Sequence, residues 1–411
     1  MNAHVYLAYG GIEATVFDSQ VITFLEGLRR GAGIISRPVV FQDLKTYYFA
    51  RASLADPLAR LETACGQKPI LLPRIPRDLA SLDTTMLKRT LTRHHTGTVT
   101  IHARGTQSAH LAARLKSEGL PIKLIYDCRG VEAHESLDIA RREKLFTFAA
   151  YNDMWFKRII AMEKEASRAA DKIFCVSETL KGYLMDAHGI SPDRIDVIPG
   201  CVNTAIFRQD ETLRATIRRN LGLGSRFVLA FTGSMRAWQQ PQTLALALRA
   251  AKNADKNALL LAITTDTASL TKELLKTGFT KDDYRVMSLA HKDVAAHLTA
   301  ADCGLLIREP TLVNQVAWPT KALEYLACGL PLVTTKAPED ISRLVRTHNV
   351  GAVAESHDET GLSDAIKCLQ ALSAQDTARM RSRAVALAKE RFDWKIVLPL
   401  VIDRYRQLDA A

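Results

Sequence analysis

The sequence predicts an α/β protein built from two Rossmann-like domains that face each other across a cleft. Short apolar runs alternate with helical patterns along the chain, which is typical of parallel βαβ units. A chain of 411 residues is also too long for one ordinary core and suits two domains of about 200 residues each. Ligands of such folds bind beyond the carboxyl ends of the strands, so a site is expected in the cleft.

The first alternating series fills the N-terminal half of the chain. Helical patterns such as Val21–Arg29, Ser108–Lys116 and Ile159–Ala170 separate short runs of β-forming residues. The predicted strands are His4–Ala8, Pro38–Phe41, Pro69–Leu72, Thr98–His102, Lys123–Asp127, Lys172–Val176 and Asp196–Ile198. The alternation breaks between residues 199 and 225, where a Pro-Gly pair precedes a polar, basic stretch, so the interdomain linker is predicted there.

A second alternating series starts at Phe227. Its predicted strands are Phe227–Phe231, Ala258–Ile263, Tyr284–Met287, Cys303–Ile307, Leu330–Thr334 and Gly351–Val353. Its predicted helices are Leu244–Ala251, Leu270–Thr277, Val294–Ala300, Thr320–Cys328 and Asp340–Val345. The last segment, Phe392–Leu408, is amphipathic, and Pro399 is expected to kink it.

Composition indicates a soluble, cytoplasmic protein. Hydrophobic residues at 47% and charged residues at 24% are ordinary for a globular chain, and no apolar run approaches the ~20 residues that span a bilayer. The N-terminus is interpreted as a first strand, because it lacks the basic flank of a signal peptide. The seven cysteines are scattered singly, so they are expected to be core residues in a reducing compartment and not metal ligands.

The charge of the chain calls for an anionic partner. The net charge is +11, and basic residues concentrate in Pro73–His95 and Arg141–Lys144. Peripheral contact with the anionic inner face of a membrane is one interpretation, and an ordinary solvated helical surface is the other. Nucleic acid is disfavoured, because aromatic residues are not interleaved with the basic stretches and no nucleic-acid-binding motif is present.

The stretch from Ala301 to Pro331 carries the strongest binding signal. It begins as a short strand, passes through a polar loop and enters a helix near Pro319 that carries Lys321 and Glu324. A helix N-terminus followed by a lysine favours anions, because free N–H groups and the helix dipole point at the ligand. A carboxylate three residues later can accept hydrogen bonds from ligand hydroxyls. The stretch indicates a nucleotide or nucleotide sugar, with an ordinary α/β crossover as the alternative.

Part of this stretch, PTKALEYLACGLP at residues 319–331, resembles the donor-binding segment of GT-B glycosyltransferases, specifically the large retaining family numbered four (glycosyl transferases group 1). Residues 313–321 match the V-N-x-V-A-x-P-x-K pattern of a polysaccharide-building subgroup, and Asp127–Gly130 resembles its D-x-R-G turn. Further segments extend the resemblance over nearly the whole chain: Phe17–Gln20, His102–Arg104, Ala170–Leu180 and Arg194–Phe207.

The resemblance implies a GT-B fold with an acceptor-binding domain at residues 1–205 and a donor-binding domain at residues 206–391. Residues 392–411 would form a helix that crosses back to the N-terminal domain. The implied activity is retaining transfer of a sugar from a nucleotide diphosphate sugar to a saccharide or lipid-linked acceptor, in cell-surface polysaccharide or glycoconjugate synthesis. It would need neither a metal nor another cofactor.

For the donor, the resemblance implies that Glu324 holds the ribose while the helix start and Lys321 face the diphosphate. Gly233 follows a strand and precedes a helix, so its amide and that of Ser234 are expected to approach the diphosphate closely. In the family the turn that contains His291 borders the nucleotide base.

Two departures from the family pattern affect the donor site. Many relatives place an arginine directly after this glycine and a lysine five residues further on, where this chain has Ser234 and Gln239. The second cation on the diphosphate would then be Arg236 or Arg308. Many retaining relatives also carry a glutamate eight residues before the equivalent of Glu324, whereas this chain has a valine there.

That valine is Val316, and Asn314 is expected to replace some of the lost polar contact with the donor sugar. The change is interpreted as a mark of the subgroup. A UDP-sugar epimerase with the same fold and a non-catalytic nucleotide-sugar-binding protein remain alternatives at this point.

On the acceptor side, Gly10 and Gly11 end the first strand and would let main-chain N–H groups approach the donor diphosphate and the acceptor. The candidate catalytic residues are Asp127, Arg129 and His102. Asp127 could bind a sugar hydroxyl or orient the acceptor, and Arg129 could hold an anionic sugar or lipid phosphate. An ion pair within the domain is the alternative for the first two, and a packed strand-end residue is the alternative for His102.

Overall fold

The computed structural model describes residues 3–12, 17–75, 81–142, 149–235 and 241–410. The chain separates into two compact units, one formed by Met1–Pro199 with Trp394–Ala411 and the other by Gly200–Asp393. These divisions fall a few residues from the boundaries at 205 and 391 that the sequence predicts.

The first unit contains a fully parallel seven-stranded sheet in the order β3-β2-β1-β4-β5-β6-β7. Its strands are β1 (Ala3–Tyr9), β2 (Ser36–Asp43), β3 (Ile70–Arg74), β4 (Val99–Arg104), β5 (Ile122–Cys128), β6 (Lys172–Cys175) and β7 (Ile195–Val197). The strand order reverses between β1 and β4, which is the switch point where ligands of open α/β sheets bind. In register, Ala8 lies beside Arg104, and Arg104 lies beside Asp127.

Helices cover this sheet. They are α1 (Thr23–Ala32), α2 (Leu44–Phe49), α3 (Ala55–Cys65), α4 (Ser81–His94), α5 (Thr106–Ser117), α6 (Glu132–Arg142), α7 (Ala149–Ala169) and α8 (Glu178–His188). A short π-helical segment, Asp18–Ile22, leads into α1.

The C-terminal helix, Trp394–Ala410, also belongs to the first unit, although the chain reaches it only after the second unit. Its Leu398 occupies the space beside Gly27 of α1, where a Cβ atom would overlap it. Trp394 Nε1 donates a hydrogen bond of 3.1 Å to the main-chain oxygen of Ser19. The predicted crossing back to the N-terminal domain is therefore confirmed, and Pro399 lies inside a helix that continues past it.

The second unit contains a fully parallel six-stranded sheet in the order β10-β9-β8-β11-β12-β13. Its strands are β8 (Val228–Thr232), β9 (Leu259–Ile263), β10 (Tyr284–Met287), β11 (Cys303–Leu306), β12 (Leu332–Thr335) and β13 (Gly351–Ala354). Both faces are buried: Val228 and Ala230 enter one apolar cluster, while Leu229 and Phe231 enter the other. A strand covered on both faces has an unbroken apolar sequence, as β8 does. The switch point of this sheet lies between β8 and β11.

The helices of the second unit, in chain order, are α9 (Glu211–Asn220), α10 (Pro241–Ala254), α11 (Thr267–Lys276), α12 (His291–Leu298), α13 (Leu312–Gln315), α14 (Thr320–Ala327), α15 (Glu339–His348), α16 (Glu359–Gln370) and α17 (Ala374–Arg391); the C-terminal helix is α18. None of the helices in the described ranges is long and apolar enough to cross a membrane.

The predicted α/β architecture with two Rossmann-like sheets is confirmed, and each predicted strand overlaps an observed one. Six of the seven cysteines are buried as expected, whereas Cys368 is exposed, because it lies on the outer face of α16. Parts of the two basic stretches, residues 76–80 and 143–144, lie outside the described residues.

Candidate functional site

The first turn of α14 places Lys321 at the carboxyl end of β8. Its Nζ donates a hydrogen bond to the main-chain oxygen of Thr232, the last residue of that strand. The same ammonium group lies 4.4 Å from the centre of the Phe231 ring. Lys321 therefore stands next to the Gly233-Ser234 turn, at the switch point of the second sheet.

Three charged groups share this low-polarity region. Burial lowers the pKa of Lys321 well below its usual value, and the nearby charge of Arg308 lowers it further, while Glu324 acts in the opposite direction. Burial lowers the pKa of Arg308 to about 10. Burial also raises the pKa of Glu324 to about 7, against the opposing effect of Lys321. A bound anion would stabilise both cations here more than it would in water, because the local dielectric is low.

Tyr325, on the same helix as Lys321 and Glu324, links α14 to the end of β8. Its hydroxyl accepts a hydrogen bond of 2.7 Å from the main-chain N–H of Thr232 and lies 3.1 Å from that residue's hydroxyl. The ring packs over Gly304 of β11, where a Cβ atom would overlap it. Sequence reasoning missed Tyr325; the available signal was a glycine inside the strand run 303–307, which indicates close approach of another group.

The glycine turn after β8 differs from the prediction in one respect. The Gly233 backbone has a φ of 122°, which favours glycine, but its N–H donates to the main-chain oxygen of Ile263 at 3.0 Å. That amide is engaged within the sheet and does not point to a ligand. The Met235 N–H donates to a carboxylate oxygen of Asp266 at 2.8 Å. Ser234 is partly buried, and Arg236 lies outside the described residues.

The loop after β11 holds the next two candidates. Arg308 is buried, and its main-chain N–H donates to the hydroxyl of Thr335 at 2.9 Å. Asn314 is also buried, and its side-chain amide donates to the main-chain oxygen of Glu309 at 3.1 Å, so it shapes the loop. A small pocket opens here; its lining includes Phe231, Leu244, Leu305, Leu306 and Arg308.

Two further positions stand apart from this cluster. Val316, where many relatives carry a glutamate, is fully buried in the core. His291 is exposed at the start of α12 and stacks edge-on against Phe207 at 6.0 Å. Its place near a nucleotide base stays a prediction.

In the first unit, Asp127 is the centre of a charged network. One of its carboxylate oxygens accepts from Arg104 at 3.2 Å, and the other accepts from Arg129 at 3.4 Å. Burial alone would raise the pKa of Asp127, but the charge of Arg129, the hydrogen bond from His102 and the charge of Arg104 hold it well below its usual value. The ion pair between Asp127 and Arg129 is therefore present, and Asp127 is a poor proton acceptor near neutral pH.

His102 is a packed residue in the middle of the first unit. It is buried and shares a hydrogen bond of 2.8 Å between Nδ1 and the hydroxyl of Tyr405, while its Nε2 lies 3.5 Å from Asp127. Its ring stacks on Tyr6 at 5.0 Å. These contacts favour a positioning role for His102 over direct contact with a substrate.

The turn after β1 is accessible. Gly10 and Gly11 have φ values of 90° and 80°, which favour glycine, and Gly11 is exposed with nothing within 4 Å of its would-be Cβ atom. The guanidinium of Arg74 lies 3.6 Å from the corresponding point at Gly10. Within the described residues, no group of three His, Cys, Asp or Glu side chains is arranged to hold a metal ion.

Comparison with protein-family models identifies both halves of the chain. Residues 45–206 match the model of Glycosyltransferase Family 4, and residues 226–371 match the model of Glycosyl transferases group 1. The first match covers most of the seven-stranded sheet, and the second covers the Lys321–Glu324 cluster.

Curated relatives and solved structures give the same result. The D-inositol 3-phosphate glycosyltransferase of Mycobacterium tuberculosis (strain H37Rv) is 26% identical over 254 residues, which is 60% of this chain and 50% of that protein. The matched region thus spans about half the length of these relatives. Anabaena Alr3699/HepE in complex with UDP has a TM-score of 0.71 at 17% identity and covers 98% of this chain and 100% of its own. WaaG, a glycosyltransferase involved in lipopolysaccharide biosynthesis, has a TM-score of 0.66 at 14% identity, with 98% and 99% covered. Both structural likenesses concern the fold.

Proposed function

We propose that this chain, which belongs to the glycosyltransferases of group 1 and family 4, transfers a sugar from a nucleotide diphosphate sugar to a saccharide or lipid-linked acceptor. The observation that carries the proposal is the cluster of Lys321, Arg308 and Glu324 at the switch point of the second sheet. Two partly desolvated cations with a carboxylate one turn away suit a diphosphate joined to a ribose.

Donor binding would use each group for a different part of the nucleotide. The N-terminus of α14 and the side chains of Lys321 and Arg308 would bind the diphosphate, because anions are stabilised at helix N-termini and by cations in low dielectric. Glu324, on the same face of α14, would accept hydrogen bonds from the ribose hydroxyls once it is ionised. Binding the diphosphate would favour the charged form of Lys321, whose pKa is lowered by burial in the structure.

The same cations would act during transfer. As the bond between sugar and diphosphate breaks, negative charge grows on the leaving diphosphate, and fixed cations stabilise it without reorganisation. We infer retention of configuration, with the acceptor attacking from the leaving-group face and a phosphate oxygen taking its proton. No metal is needed in this proposal. The low pKa of Asp127 supports proton transfer to a phosphate oxygen, since that carboxylate is poorly suited to remove the proton of the acceptor.

The acceptor side would be the switch point of the first sheet. The open turn at Gly10 and Gly11 leaves room for a ligand, while Asp127 holds Arg129 and Arg104 in fixed positions beside it. Two guanidinium groups suit an acceptor that carries a phosphate or carboxylate. A role in cell-surface polysaccharide or glycoconjugate synthesis, in the cytoplasm or at the inner face of a membrane, fits such an acceptor.

A non-catalytic nucleotide-sugar-binding protein is the second candidate. One observation favours it: the buried Val316 stands where many relatives carry a glutamate. Binding would then persist while transfer and donor hydrolysis are both absent.

A thermal-shift screen against UDP-, GDP-, ADP- and CMP-sugars tests the donor assignment, followed by transfer or hydrolysis assays with the stabilising donor. Glu324→Ala should weaken stabilisation, whereas Glu390→Ala, at an exposed position on α17, should not. If no nucleotide raises the melting temperature, the proposal is wrong. If a donor binds but is neither transferred nor hydrolysed, the second candidate is correct.

A further inference from the structure

An aromatic pair on α2 is unusually exposed for a soluble domain. Tyr48 is 64% exposed and Phe49 is 87% exposed, and Leu82, at the start of α4, is 48% exposed. Single exposed apolar residues are ordinary, but adjacent aromatic side chains that protrude together have a cost in water.

These three residues lie at one edge of the first unit. All seven strands are parallel, so their carboxyl ends share that edge. The helix α2 follows β2 directly, with the side chain of Asp43 accepting from the N–H of Thr46 at 2.9 Å. The start of α4 is held beneath the end of β3, because Asp83 accepts from the N–H of Ile75 at 3.0 Å.

The same edge carries the acceptor-side turn. The guanidinium of Arg74, the last residue of β3, reaches Gly10 and lies 5.4 Å from the centre of the Tyr9 ring. The hydroxyl of Tyr9 donates to Asp83 of α4. The helix α2, which carries the aromatic pair, packs against β3, and the end of β3 contacts the turn at Gly10 through Arg74.

Basic side chains flank the aromatic pair. Lys45 and Arg51 are exposed on either side of it, and the guanidinium of Arg51 lies 5.4 Å from the centre of the Tyr47 ring. The rings of Tyr47 and Tyr48 pack edge-on at 4.9 Å, so the aromatic side chains support one another. Asp43, the nearest acidic residue in sequence, is occupied in capping α2.

We propose that this surface, defined by Lys45, Tyr48, Phe49, Arg51 and Leu82 and called the aromatic edge below, docks onto an anionic lipid bilayer. Tyrosine and phenylalanine side chains insert at the boundary between headgroups and acyl chains, where an amphipathic helix lies in the membrane plane. Each nearby lysine or arginine strengthens binding about fivefold at an anionic surface. A second copy of the chain is a poorer occupant, because two chains of net charge +11 repel each other.

One consequence rests on the proposed function. A bilayer at the aromatic edge would lie beside the turn at Gly10 and Gly11. Asp127, near the end of β5, and Arg129, just after that strand, lie at the same edge. The acceptor would then be presented from the membrane, which favours a lipid-linked acceptor with an anionic headgroup. The docking itself does not depend on the glycosyltransferase activity.

Co-sedimentation of the full chain with lipid vesicles tests the docking. We expect binding to vesicles of equimolar phosphatidylcholine and phosphatidylglycerol, and much weaker binding to phosphatidylcholine alone. The double variant Tyr48→Ser, Phe49→Ser should bind the anionic vesicles at least about tenfold more weakly, since it lacks the two aromatic side chains that the bilayer would bury. Leu275→Ser, at a 52% exposed position in the second unit, is the matched control and should bind as the wild type does.

Charge and self-association are tested separately. Lys45→Glu with Arg51→Glu should remove most of the preference for anionic vesicles. Equal vesicle binding by wild type and the aromatic double variant would overturn the proposal. So would a wild-type dimer in light scattering that the double variant abolishes, because a second copy would then cover the edge. The nucleotide thermal shift should be unchanged in all these variants, so failure of docking and failure of the donor assignment are distinguishable.

Discussion

The hydroxyl of Tyr325 accepts a hydrogen bond from the main-chain N–H of Thr232 at 2.7 Å, across 93 positions of sequence. This bond fixes the end of β8 to α14, the helix that carries both Lys321 and Glu324. The position of the two charged groups relative to the glycine turn therefore depends on where the Tyr325 ring packs. The ring can pack there because residue 304 is a glycine and has no side chain.

Gly304→Ala should destabilise the protein and weaken donor binding together. The added Cβ would overlap the Tyr325 ring, and overpacking of this kind costs roughly 1–3 kcal/mol of the free energy of unfolding. Gly182→Ala is the control, because Gly182 lies within α8 with nothing within 4 Å of the added atom; it should be neutral or stabilise by about 0.5–1 kcal/mol. Urea unfolding and nucleotide titration measure the two effects, and equal unfolding free energies for the two variants would contradict the role of the ring.

Lys321→Ala should weaken the nucleotide diphosphate specifically. A charge-assisted contact is worth about 1.5–3 kcal/mol, so the dissociation constant should rise roughly 10- to 150-fold in calorimetry. The corresponding nucleoside, which lacks phosphates, should bind wild type and variant equally. Lys389→Ala removes an exposed lysine of α17, which has no part in the proposed site, and serves as the control. An equal loss for nucleoside and nucleotide would mean that Lys321 supports only the structure of β8.

The strands were predictable from sequence because each is a short, unbroken run of β-forming residues. Burial on both faces makes β8 and β9 apolar along their whole length, so no helical periodicity competes with that signal. Several helices lacked such a signal. The helix α9 has no buried residue and carries four charged side chains among ten, so its sequence predicts a polar linker and not a helix.

The site was predictable only as far as local sequence determines it. Lys321 and Glu324 lie on one helix, so their spacing alone places them near each other. The contact of Lys321 with Thr232 and the stacking of His102 on Tyr6 join residues from separate strands and helices. These contacts depend on sheet order, which local patterns do not specify. For the same reason the local sequence does not predict that the Gly233 N–H donates its hydrogen bond to Ile263 at the end of the neighbouring strand.

Glu324 should give stability and donor affinity opposite dependences on pH. Its pKa of about 7 in the folded protein lies above the ordinary value of 4.5, so its protonated form is favoured by folding. Stability from this group is complete below about pH 4.5 and is lost as pH rises through 7. Donor affinity should increase over the same range, because only the ionised carboxylate accepts two ribose hydroxyls well.

Glu324→Gln tests both halves of that expectation. It should reduce the loss of unfolding free energy between pH 5 and 8 by roughly 1–3 kcal/mol and flatten the pH dependence of nucleotide affinity. Glu132→Gln is the comparison, since burial also raises the pKa of Glu132 to about 7, in the first unit. It should change stability in the same direction and leave the pH dependence of affinity as in the wild type. An unchanged affinity profile in Glu324→Gln would remove the ribose role from Glu324.

Variants of Asp127 and His102 should differ in transfer activity, because Asp127 is the centre of the charged network and His102 only positions it. The folded pKa of Asp127 is depressed, so its contribution to stability is present above the ordinary value of 3.8 and is lost as pH falls towards the folded pKa. Asp127→Asn leaves two arginines partly unpaired and should lower the free energy of unfolding by about 2–4 kcal/mol, with a large loss of transfer activity.

His102→Gln retains a hydrogen-bond donor next to Asp127 and should keep most of the activity. Tyr405→Phe should lower the free energy of unfolding by only about 1–2 kcal/mol, because it leaves Nδ1 of His102 without its partner. Initial transfer rates with the donor found in the thermal-shift screen compare the three variants. If His102→Gln loses as much activity as Asp127→Asn, His102 takes a direct part in the reaction and the positioning role is wrong.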